Sequence, residues 1–570
     1  MLDTLIKNAR IADGSGRAIY RGHVGIQDGV IQSVGREAPG GAAQIIDADG
    51  LVVAPGFIDP HTHLDAQVLW DRQLTPSCWH GVTSAVIGNC GVGLMPAREG
   101  TREILLRDLV NVEGIDYEVL RQGVQWGWST PGEYLSHIER DGLGVNVAAL
   151  ISLTPLRHYV MGEASFERSA NADELARMVA VFEGAMADGA FGFSTDLLAN
   201  HRGFGGGPLA CRNASRDELR ALCHVLRDRG AGVVTIALDS LRQGVQYIND
   251  EDVAMLRFLV EESGRPVSFL PMVAMTGDLD FGKKQLARLG DIADRVVPQV
   301  SPMPIVFMHT MRKPFKFSEF AAWRPALNGT YEEQRRLYAD PEFRRVAAEE
   351  QRGHIRKIPW ERVRIAAAER PDLAARYLGR TIGEISRAEG KEPLDAFLDL
   401  TLEDDLRTLF QFESANLDRD VVRSLLQEPR FMLGISDAGA HIDQVCDLRY
   451  PTVLLGDWVR EEQALSLEQA IWKLTAHPAK VFGLARRGLL APGYHADIVL
   501  FDPRTIGSEP PVFADDLPAG GRRLIARARG IVATFIRGVQ VMREGKETGA
   551  RPGGVVRSTE DRSTRGAWSG

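Results

Sequence analysis

The sequence predicts an α/β fold, a (β/α)₈ TIM-type barrel with a small β-sandwich domain built from both chain ends. Apolar, strand-like runs alternate with amphipathic stretches through the middle of the 570-residue chain, and both ends contain short strands separated by turn signals. This alternation is typical of parallel strands joined by helices. The eight predicted strands lie near residues 51–58, 82–88, 144–152, 189–195, 232–238, 266–273, 298–307 and 431–436.

Amphipathic stretches between these strands predict the outer helices. Asp173–Gly189, Arg216–Gly230 and Asp250–Gly264 have apolar residues at helical spacing. The last two stretches end at a glycine, which is the residue that most often closes a helix. These patterns place one helix between consecutive barrel strands.

The chain ends resemble each other in type. Residues 1–53 and 485–550 contain short apolar runs punctuated by turns such as Asp28-Gly29 and Arg537-Gly538. We therefore expect the two segments to form one composite β-sandwich, and residues 54–484 to form the barrel. The segment 551–570 is polar and glycine-rich, so we expect a disordered tail.

A charged, aromatic segment near 309–387 interrupts the barrel rhythm. An insertion of this length covers or shapes the pocket when it lies on the catalytic face of a barrel. The alternative is a surface helical excursion without contact to substrate. The sequence leaves both interpretations open.

Composition restricts the class of partner. The net charge of −9 is spread along the chain and forms no basic patch, which argues against nucleic acid. No apolar run approaches the roughly 18 residues that span a membrane. Five widely spaced cysteines fit a reducing cytoplasm better than a disulfide framework. A small-molecule substrate is the expected partner, and a homo-oligomer stays open.

Potential metal ligands follow three of the predicted strands. His61 and His63 follow the first strand, Cys90 follows the second, and Asp437 and His441 follow the eighth. Residues two apart in an extended segment point to the same side, so both imidazoles can face one ion. Two histidines, a thiol and a carboxylate at the C-terminal ends of barrel strands suit Zn²⁺.

Three motifs carry a family resemblance. Gly56-Phe-Ile-Asp-Pro-His-Thr-His63, Gly88-Asn-Cys-Gly91 and Ser436-Asp-Ala-Gly-Ala-His441 resemble the amidohydrolase superfamily, and more narrowly its N-acyl-D-amino-acid deacylase (D-aminoacylase) branch. The resemblance covers about residues 4–550. It implies a barrel with a β-sandwich and hydrolysis of an amide by a metal-bound water.

The same resemblance assigns roles to individual residues. His61, His63, Cys90 and Asp437 match metal-site positions, and Asp437 also matches the acid/base that moves a proton from water to the leaving nitrogen. Zinc lowers the pKa of its water to about 7, and an adjacent carboxylate can carry the proton. No serine or cysteine nucleophile is required.

The sequence departs from the family at three strands. The expected histidines after strands five and six are absent near Asp239-Ser240 and Met275, and Leu153 stands where the third strand carries an imidazole. These absences favour a site with one zinc ion over a site with two. Replacement ligands from less regular positions are candidates: Asp196, Asp239, His201 and His309.

Two residues are assigned to the substrate. Arg157 is a candidate for binding an anionic group, because guanidinium pairs with carboxylate in a bidentate manner. A structural ion pair at the barrel mouth is the alternative for Arg157. His441, close to Asp437, is the second substrate-binding candidate.

The leading functional prediction is a metal-dependent hydrolase that cleaves the amide C–N bond of a small N-acylated amine or N-acyl amino acid. A cyclic amide or lactone hydrolase of the same superfamily is an alternative, since a mononuclear site suits several of these reactions. A binding protein with reduced catalysis is a third, motivated by the missing histidines.

Overall fold

A computed structural model describes residues 1–239, 248–274, 277–327, 329–354 and 357–560. Within these ranges the strands are β1 Leu2–Ile11, β2 Tyr20–Gln27, β3 Val30–Gly35, β4 Ala42–Asp47, β5 Val52–Pro55, β6 Phe57–Asp59, β7 Val82–Ile87, β8 Asn146–Ala149, β9 Ile151–Ser152, β10 Gly192–Asp196, β11 Val233–Ala237, β12 Val267–Leu270, β13 Val296–Val300, β14 Ile305–His309, β15 Val363–Ala367, β16 Leu409–Ala415, β17 Met432–Leu433, β18 Ile498–Phe501, β19 Gly507–Ser508, β20 Val512–Ala514, β21 Arg523–Ile525, β22 Ala528–Arg529, β23 Ile531–Ile536, β24 Val539–Arg543 and β25 Lys546–Glu547.

The α-helices of the same ranges surround and connect these strands. They are α1 Arg102–Glu113, α2 Tyr117–Gly123, α3 Pro131–Glu139, α4 Leu153–Met161, α5 Ala172–Asp188, α6 Arg216–Arg229, α7 Asp250–Ser263, α8 Phe281–Leu289, α9 Arg324–Leu327, α10 Tyr331–Ala339, α11 Pro341–Gly353, α12 Pro371–Tyr377, α13 Ile382–Glu389, α14 Pro393–Glu403, α15 Arg419–Gln427, α16 Tyr450–Val453, α17 Leu467–Leu474 and α18 Ala476–Phe482. A π-helical stretch, Leu454–Glu461, continues α16.

The central strands form the predicted barrel. β6, β7 and β8 pair in parallel, and β9, β10, β11, β12, β13 and β17 pair in parallel in that order. β8 and β9 are separated only by Leu150, so they join the two sheets. A parallel bridge between Thr62 and Ala438 lies beyond the ends of β6 and β17. The barrel prediction is confirmed.

Two of the predicted strands divide between different sheets. The run at 51–58 is split at Gly56, where β5 pairs with β1 and β18 while β6 enters the barrel. A side chain at Gly56 would overlap Thr83, which explains a glycine at this crossing. The run at 298–307 likewise contains β13 of the barrel and β14 of another sheet.

The predicted helices form within one residue of their expected limits. α5, α6 and α7 correspond to the three amphipathic stretches, and each is followed by a left-handed glycine at Gly189, Gly230 or Gly264. Reciprocal capping boxes begin all three helices. Capping satisfies the amide groups that lack partners at a helix start, which makes these boundaries readable from sequence.

The two chain ends build one nine-stranded sheet. Its order is β25-β24-β23-β18-β5-β1-β2-β3, and β4 pairs with β1. The antiparallel pairing of β5 with β18 joins the N-terminal and C-terminal segments. Apolar side chains from both segments form a shared core beneath this sheet. The composite β domain is therefore confirmed.

The insertion is a folded unit that extends beyond the expected limits of 309–387. β14, β16 and β15 form an antiparallel sheet, which carries the unit to Ala415. A hydrophobic cluster of its own, with Phe317, Trp323 and Phe397 among its members, lies under that sheet. We call residues 305–415 the inserted unit. The stretch 388–415 was missed because β14 and β16 pair across more than 100 residues of sequence.

The expectation of a disordered tail is wrong for residues 551–560. Gly553 and Leu143 exchange two backbone hydrogen bonds, and Val147 N donates to Gly554 O. Val555 is buried beside β8. Arg557 also pairs with Glu139. Backbone pairing and the buried residues Val555 and Val556 outweigh the polar composition of this segment. Residues 561–570 lie outside the described part of the chain.

Two further features bear on the predicted environment. All five cysteines are buried and free of disulfides. Across the described residues, no helix combines the length and the apolar character needed to cross a membrane.

Candidate metal centre

The C-terminal ends of three barrel strands bring the predicted ligands together. His61 and His63 follow β6, Cys90 follows β7, and Asp437 follows β17. The donor atoms of His61, His63 and Cys90 all lie within 4.8 Å of one another, and all three residues are buried. Their role as metal ligands stays a prediction, but their convergence is a feature of the fold.

The measured separations suit a single ion. His61 Nε2 lies 3.4 Å from Cys90 Sγ and 3.5 Å from Asp437 Oδ1, and His63 Nε2 lies 4.0 Å from the same oxygen. Donors bound to one tetrahedral zinc at ordinary bond lengths are separated by roughly 3.3–3.5 Å. The distances from His61 to Cys90 and to Asp437 match this range, whereas Asp437 and His63 would have to approach each other by about half an ångström.

Backbone contacts fix these strand ends against one another. Thr62 donates its amide and its hydroxyl to Val86 O, and His63 N donates to Ala438 O at 2.7 Å. Ser436 Oγ donates to His61 O at 2.9 Å. Thr62 and Ser436 are sequence neighbours of the candidate ligands. Their hydrogen bonds join the ends of the first, second and last barrel strands.

Glycines flank the cysteine because the chain passes other backbone closely. An added Cβ at Gly88 would lie 2.2 Å from Leu150 O, and one at Gly91 would lie 3.2 Å from Cys211 Sγ. Both glycines have positive φ. The close approach of Leu150 O and of Cys211 Sγ therefore leaves little room for a side chain at either glycine.

Three candidate site residues have left-handed backbone. φ is +50° at Cys90, +47° at Asp437 and +46° at His441. Such conformations cost of order 1–3 kcal/mol each for residues other than glycine, and they cluster at functional sites. The surrounding backbone contacts hold this strain in place.

Burial sets the protonation states of the side chains in the cluster. It lowers the pKa of His61 to about 3 and that of His63 well below its ordinary value, so both imidazoles are neutral. It raises the pKa of Asp437 to about 6 and that of the Cys90 thiol well above its ordinary value. Neutral imidazoles are the ligand form, whereas the thiol must lose its proton to bind a metal.

The residues fit a zinc ion on chemical grounds. Nitrogen and sulfur donors dominate the cluster, and zinc binds histidine, cysteine and carboxylate in tetrahedral sites. His61 Nδ1 and His63 Nδ1 are buried and form no hydrogen bond among the described residues, although the Glu113 carboxyl lies 3.1 Å from His63 Nδ1. Buried polar atoms without partners are costly, so their presence beside the cluster indicates a site selected for function.

Glu113 is a member of the site that the sequence analysis missed. It ends α1, and its Oε1 lies 3.1 Å from His63 Nδ1. Burial raises the pKa of this carboxyl well above its ordinary value, and the nearby Asp437 and Asp196 raise it further. One sequence feature could have indicated Glu113: it is a glutamate at the C-terminus of a helix, where the helix dipole disfavours negative charge.

A cavity of about 470 Å³ opens onto the cluster. His63, Cys90, Glu113, Asp437 and His441 line one part of it. The inserted unit supplies another part of the wall, with Lys316, Ser318, Glu319, Lys357, Ile358, Pro359 and Arg362. The inserted unit therefore forms part of the cavity wall, which favours the interpretation in which it shapes the pocket.

His201 also lines this cavity. Its Nδ1 lies 2.7 Å from Asp196 Oδ2, and Asp196 is fully buried. Asp239 and His309, the other proposed replacements, are not among the residues that line the cavity. His309 is instead buried between the rings of Phe307 and Phe412. Ser240 and Met275 lie outside the described residues.

The expectation that Arg157 binds substrate is wrong. Arg157 is fully buried in α4, where it pairs with Glu218 and donates to Arg168 O at 2.6 Å. Glu218 lies 61 positions later in the chain, so the pair was invisible to local patterns. His441, by contrast, lines the cavity, and its substrate-binding role stays a prediction.

Comparisons with known proteins agree with this architecture. The amidohydrolase family profile matches residues 44–304 and 360–542, which together make up most of the chain. An uncharacterised protein of Mycobacterium tuberculosis is 30% identical, covering 95% of this chain and 92% of its own. D-aminoacylase of Alcaligenes xylosoxydans xylosoxydans is 27% identical over 98% of both chains.

A solved D-aminoacylase structure extends the comparison to three dimensions. It is 25% identical, has a TM-score of 0.65, and the match covers 98% of this chain and all of that chain. That protein has a binuclear metal centre with one-metal activation and second-metal attenuation. From the profile match and the full-length relatives together, the chain belongs to the amidohydrolase family.

Proposed function

We propose that this chain is a metal-dependent hydrolase that cleaves the amide C–N bond of a small N-acylated amine or N-acyl amino acid through a metal-activated water. The observation that carries the proposal is the convergence of His61, His63, Cys90 and Asp437 at one end of a substrate-sized cavity. Family membership and the full-length similarity to D-aminoacylase support the reaction class.

One zinc ion is the proposed cofactor. The described residues contain a single group of histidine, cysteine and acidic donors compact enough to hold an ion, and the two histidines expected after strands five and six are absent. The one-metal activation of the similar D-aminoacylase supports a centre with one ion. Bound zinc supplies Lewis acidity toward water and toward the substrate carbonyl.

Asp437 is the proposed acid/base. Its carboxylate accepts a proton from the attacking water as the new C–O bond forms, and returns it to the amide nitrogen as the C–N bond breaks. The products are a carboxylic acid and an amine. Burial raises the pKa of Asp437 to about 6, which places it near the pH at which a group can both accept and donate efficiently.

The opposite wall supports an anionic substrate. Lys316 lies in the cavity wall, 5.1 Å above the Phe307 ring, and Phe307 contacts His441 at 5.7 Å between ring centroids. A cation near His441 can receive a substrate carboxylate while the amide faces the cluster. This arrangement favours N-acyl amino acids over uncharged amides.

Metal analysis and substrate competition test the proposal. Purified protein is expected to contain about one equivalent of zinc per chain, as one tetrahedral ligand set requires. It should hydrolyse N-acyl-D-amino acids, and Asp437→Asn should abolish turnover while retaining metal. Less than about half an equivalent of any divalent metal, with no stabilisation by added zinc, would refute the metal site.

The same assay separates the alternatives. D-hydantoinase of Geobacillus stearothermophilus is 49% identical over 61 residues, 11% of this chain, so cyclic amides and lactones belong in the substrate panel. Turnover of a ring substrate without turnover of the open-chain series would favour a cyclic amide or lactone hydrolase. Metal binding without turnover of any substrate, in a protein indifferent to Asp437→Asn, would favour a binding protein.

A further inference from the structure

Glu113 occupies a position that local physics disfavours. It is the last residue of α1, where the helix dipole is unfavourable for a negative charge, and its side chain is only 3% exposed. Burying a carboxyl group also costs free energy unless the group is well paired. Positions that break local rules in this way are commonly retained for function.

The partner of Glu113 is a proposed metal ligand. Glu113 Oε1 lies 3.1 Å from His63 Nδ1. Neither atom forms a hydrogen bond in the described part of the chain, so the contact between them is an electrostatic one at 3.1 Å. The Glu113 carboxyl is thus the polar group that lies against Nδ1 of His63.

The second nitrogen of His63 faces the opposite way, toward the cluster. His63 Nε2 lies 4.0 Å from Asp437 Oδ1, and the His63 ring lies edge-on to His61 with 5.4 Å between centroids. A neutral imidazole carries one N–H. The carboxylate form of Glu113 can only accept a hydrogen bond, so at Nδ1 it favours the tautomer with hydrogen at Nδ1 and leaves the Nε2 lone pair for a metal.

The end of α1 is held firmly enough to perform this task. His441 N donates to Glu113 O at 2.5 Å. The next residue, Gly114, is left-handed, and an added Cβ there would lie 3.1 Å from His441 Nδ1. The helix end thus contacts both His63 and the loop that follows the last barrel strand.

We propose that Glu113 is a positioning residue that fixes the orientation and tautomer of His63 so that its Nε2 can bind the metal. The inference rests on the proposed metal-dependent function. It also links α1, which lies outside the barrel strands, to the assembly of the centre.

Cobalt titration of metal-free protein tests this role. Wild type, Glu113→Gln and the control Glu262→Gln are titrated with Co²⁺ alone, and the thiolate and d–d absorption bands are followed. Glu262 makes a matched contact, because its carboxylate lies 2.8 Å from His224 Nε2 on outer helices. Glu113→Gln should bind Co²⁺ about 10–100-fold more weakly, whereas Glu262→Gln should bind as wild type does.

The outcomes separate the two proposals. If wild type binds no Co²⁺, the proposed function fails and the role of Glu113 falls with it. If wild type and Glu113→Gln bind equally, the positioning role is overturned and the metal-dependent function stands.

A measurement on the wild-type protein covers the case in which Glu113→Gln does not fold. ¹⁵N-histidine NMR of the metal-free protein, with His63 assigned by its loss in His63→Gln, should show hydrogen at Nδ1. Hydrogen at Nε2 of His63 would overturn the inference without any variant of Glu113. An unchanged thermal midpoint of metal-free Glu113→Gln would show that the effect is on the centre and not on general stability.

Discussion

Metal binding should displace the proton of Cys90, and removing this thiol should change the pH dependence of zinc affinity. Burial raises the pKa of Cys90 well above its ordinary value, so the thiol is protonated throughout the neutral range. Binding as thiolate therefore releases one proton, and affinity rises about tenfold per pH unit from this group alone. His61 and His63 add nothing near neutrality, because burial keeps both imidazoles neutral there.

The contribution of Cys90 to the pH dependence of zinc affinity is measured as the difference between wild type and Cys90→Ala. Between about pH 6.5 and 8, Cys90→Ala should show a slope of log affinity against pH that is one unit smaller than that of wild type. Below about pH 6 the slope of both proteins should steepen, since Asp437 has a pKa of about 6 and must also lose its proton. The sign is fixed: affinity increases with pH because the metal competes with protons.

Isothermal titration calorimetry in buffers of different ionisation enthalpy counts the released protons directly. Wild type should release one more proton per zinc than Cys90→Ala at pH 7.5. Cys223→Ala is the matched control, because Cys223 is also buried, with a pKa raised to about 12, but lies on α6. Equal proton release by wild type and Cys90→Ala would refute thiolate ligation.

Three further predictions concern a buried ion pair, recognition of the substrate and the stability that a bound metal confers. Arg157→Met should destabilise the fold by about 3–5 kcal/mol in denaturant titrations, because the buried Glu218 carboxylate loses its guanidinium partner and keeps, among the described residues, only hydrogen bonds from the amides of Ala170 and Ser215. The exposed control Arg345→Met should cost at most about 1 kcal/mol. A raised KM with unchanged stability in Arg157→Met would instead support a substrate role. Lys316→Gln should raise KM for N-acyl amino acids by roughly 10–100-fold and leave the uncharged amide analogues unaffected, since one charge-assisted hydrogen bond is lost; an equal effect on both series would contradict carboxylate recognition. Chelation should lower the thermal midpoint of wild type, and zinc at 100 times its dissociation constant should restore about 2.7 kcal/mol; the double variant His61→Ala/His63→Ala should show neither response.

Local periodicity accounts for the parts of the fold that were predictable. α6 begins at the Ser215 capping box and ends before Gly230, and both signals lie within a few residues of the helix. The barrel strands after Gly56 and Gly81 follow the same logic, because a buried parallel strand is an apolar run. The split of 51–58 between two sheets was not predictable, since both halves are equally apolar and only pairing partners distinguish them.

The candidate site also contains residues that local sequence patterns identified and one residue that they missed. His61, His63, Cys90 and Asp437 were identified because each directly follows an apolar run, and parallel strands end at one face of a barrel. Glu113 was missed because it lies at the end of an outer helix, 50 residues from the histidine that it contacts.

The sequence by itself determined the barrel, the composite terminal sheet and the order of the ligand-bearing turns, because strand and helix periods and tight glycine turns are written in neighbouring residues. Only the tertiary structure decided that Arg157 forms a buried ion pair with Glu218, that the inserted unit lines the cavity, and that residues 551–560 are ordered beside β8. Each of these depends on which distant group fills a space or satisfies a buried charge. That choice is made by packing and desolvation over the whole molecule, and no local pattern encodes it.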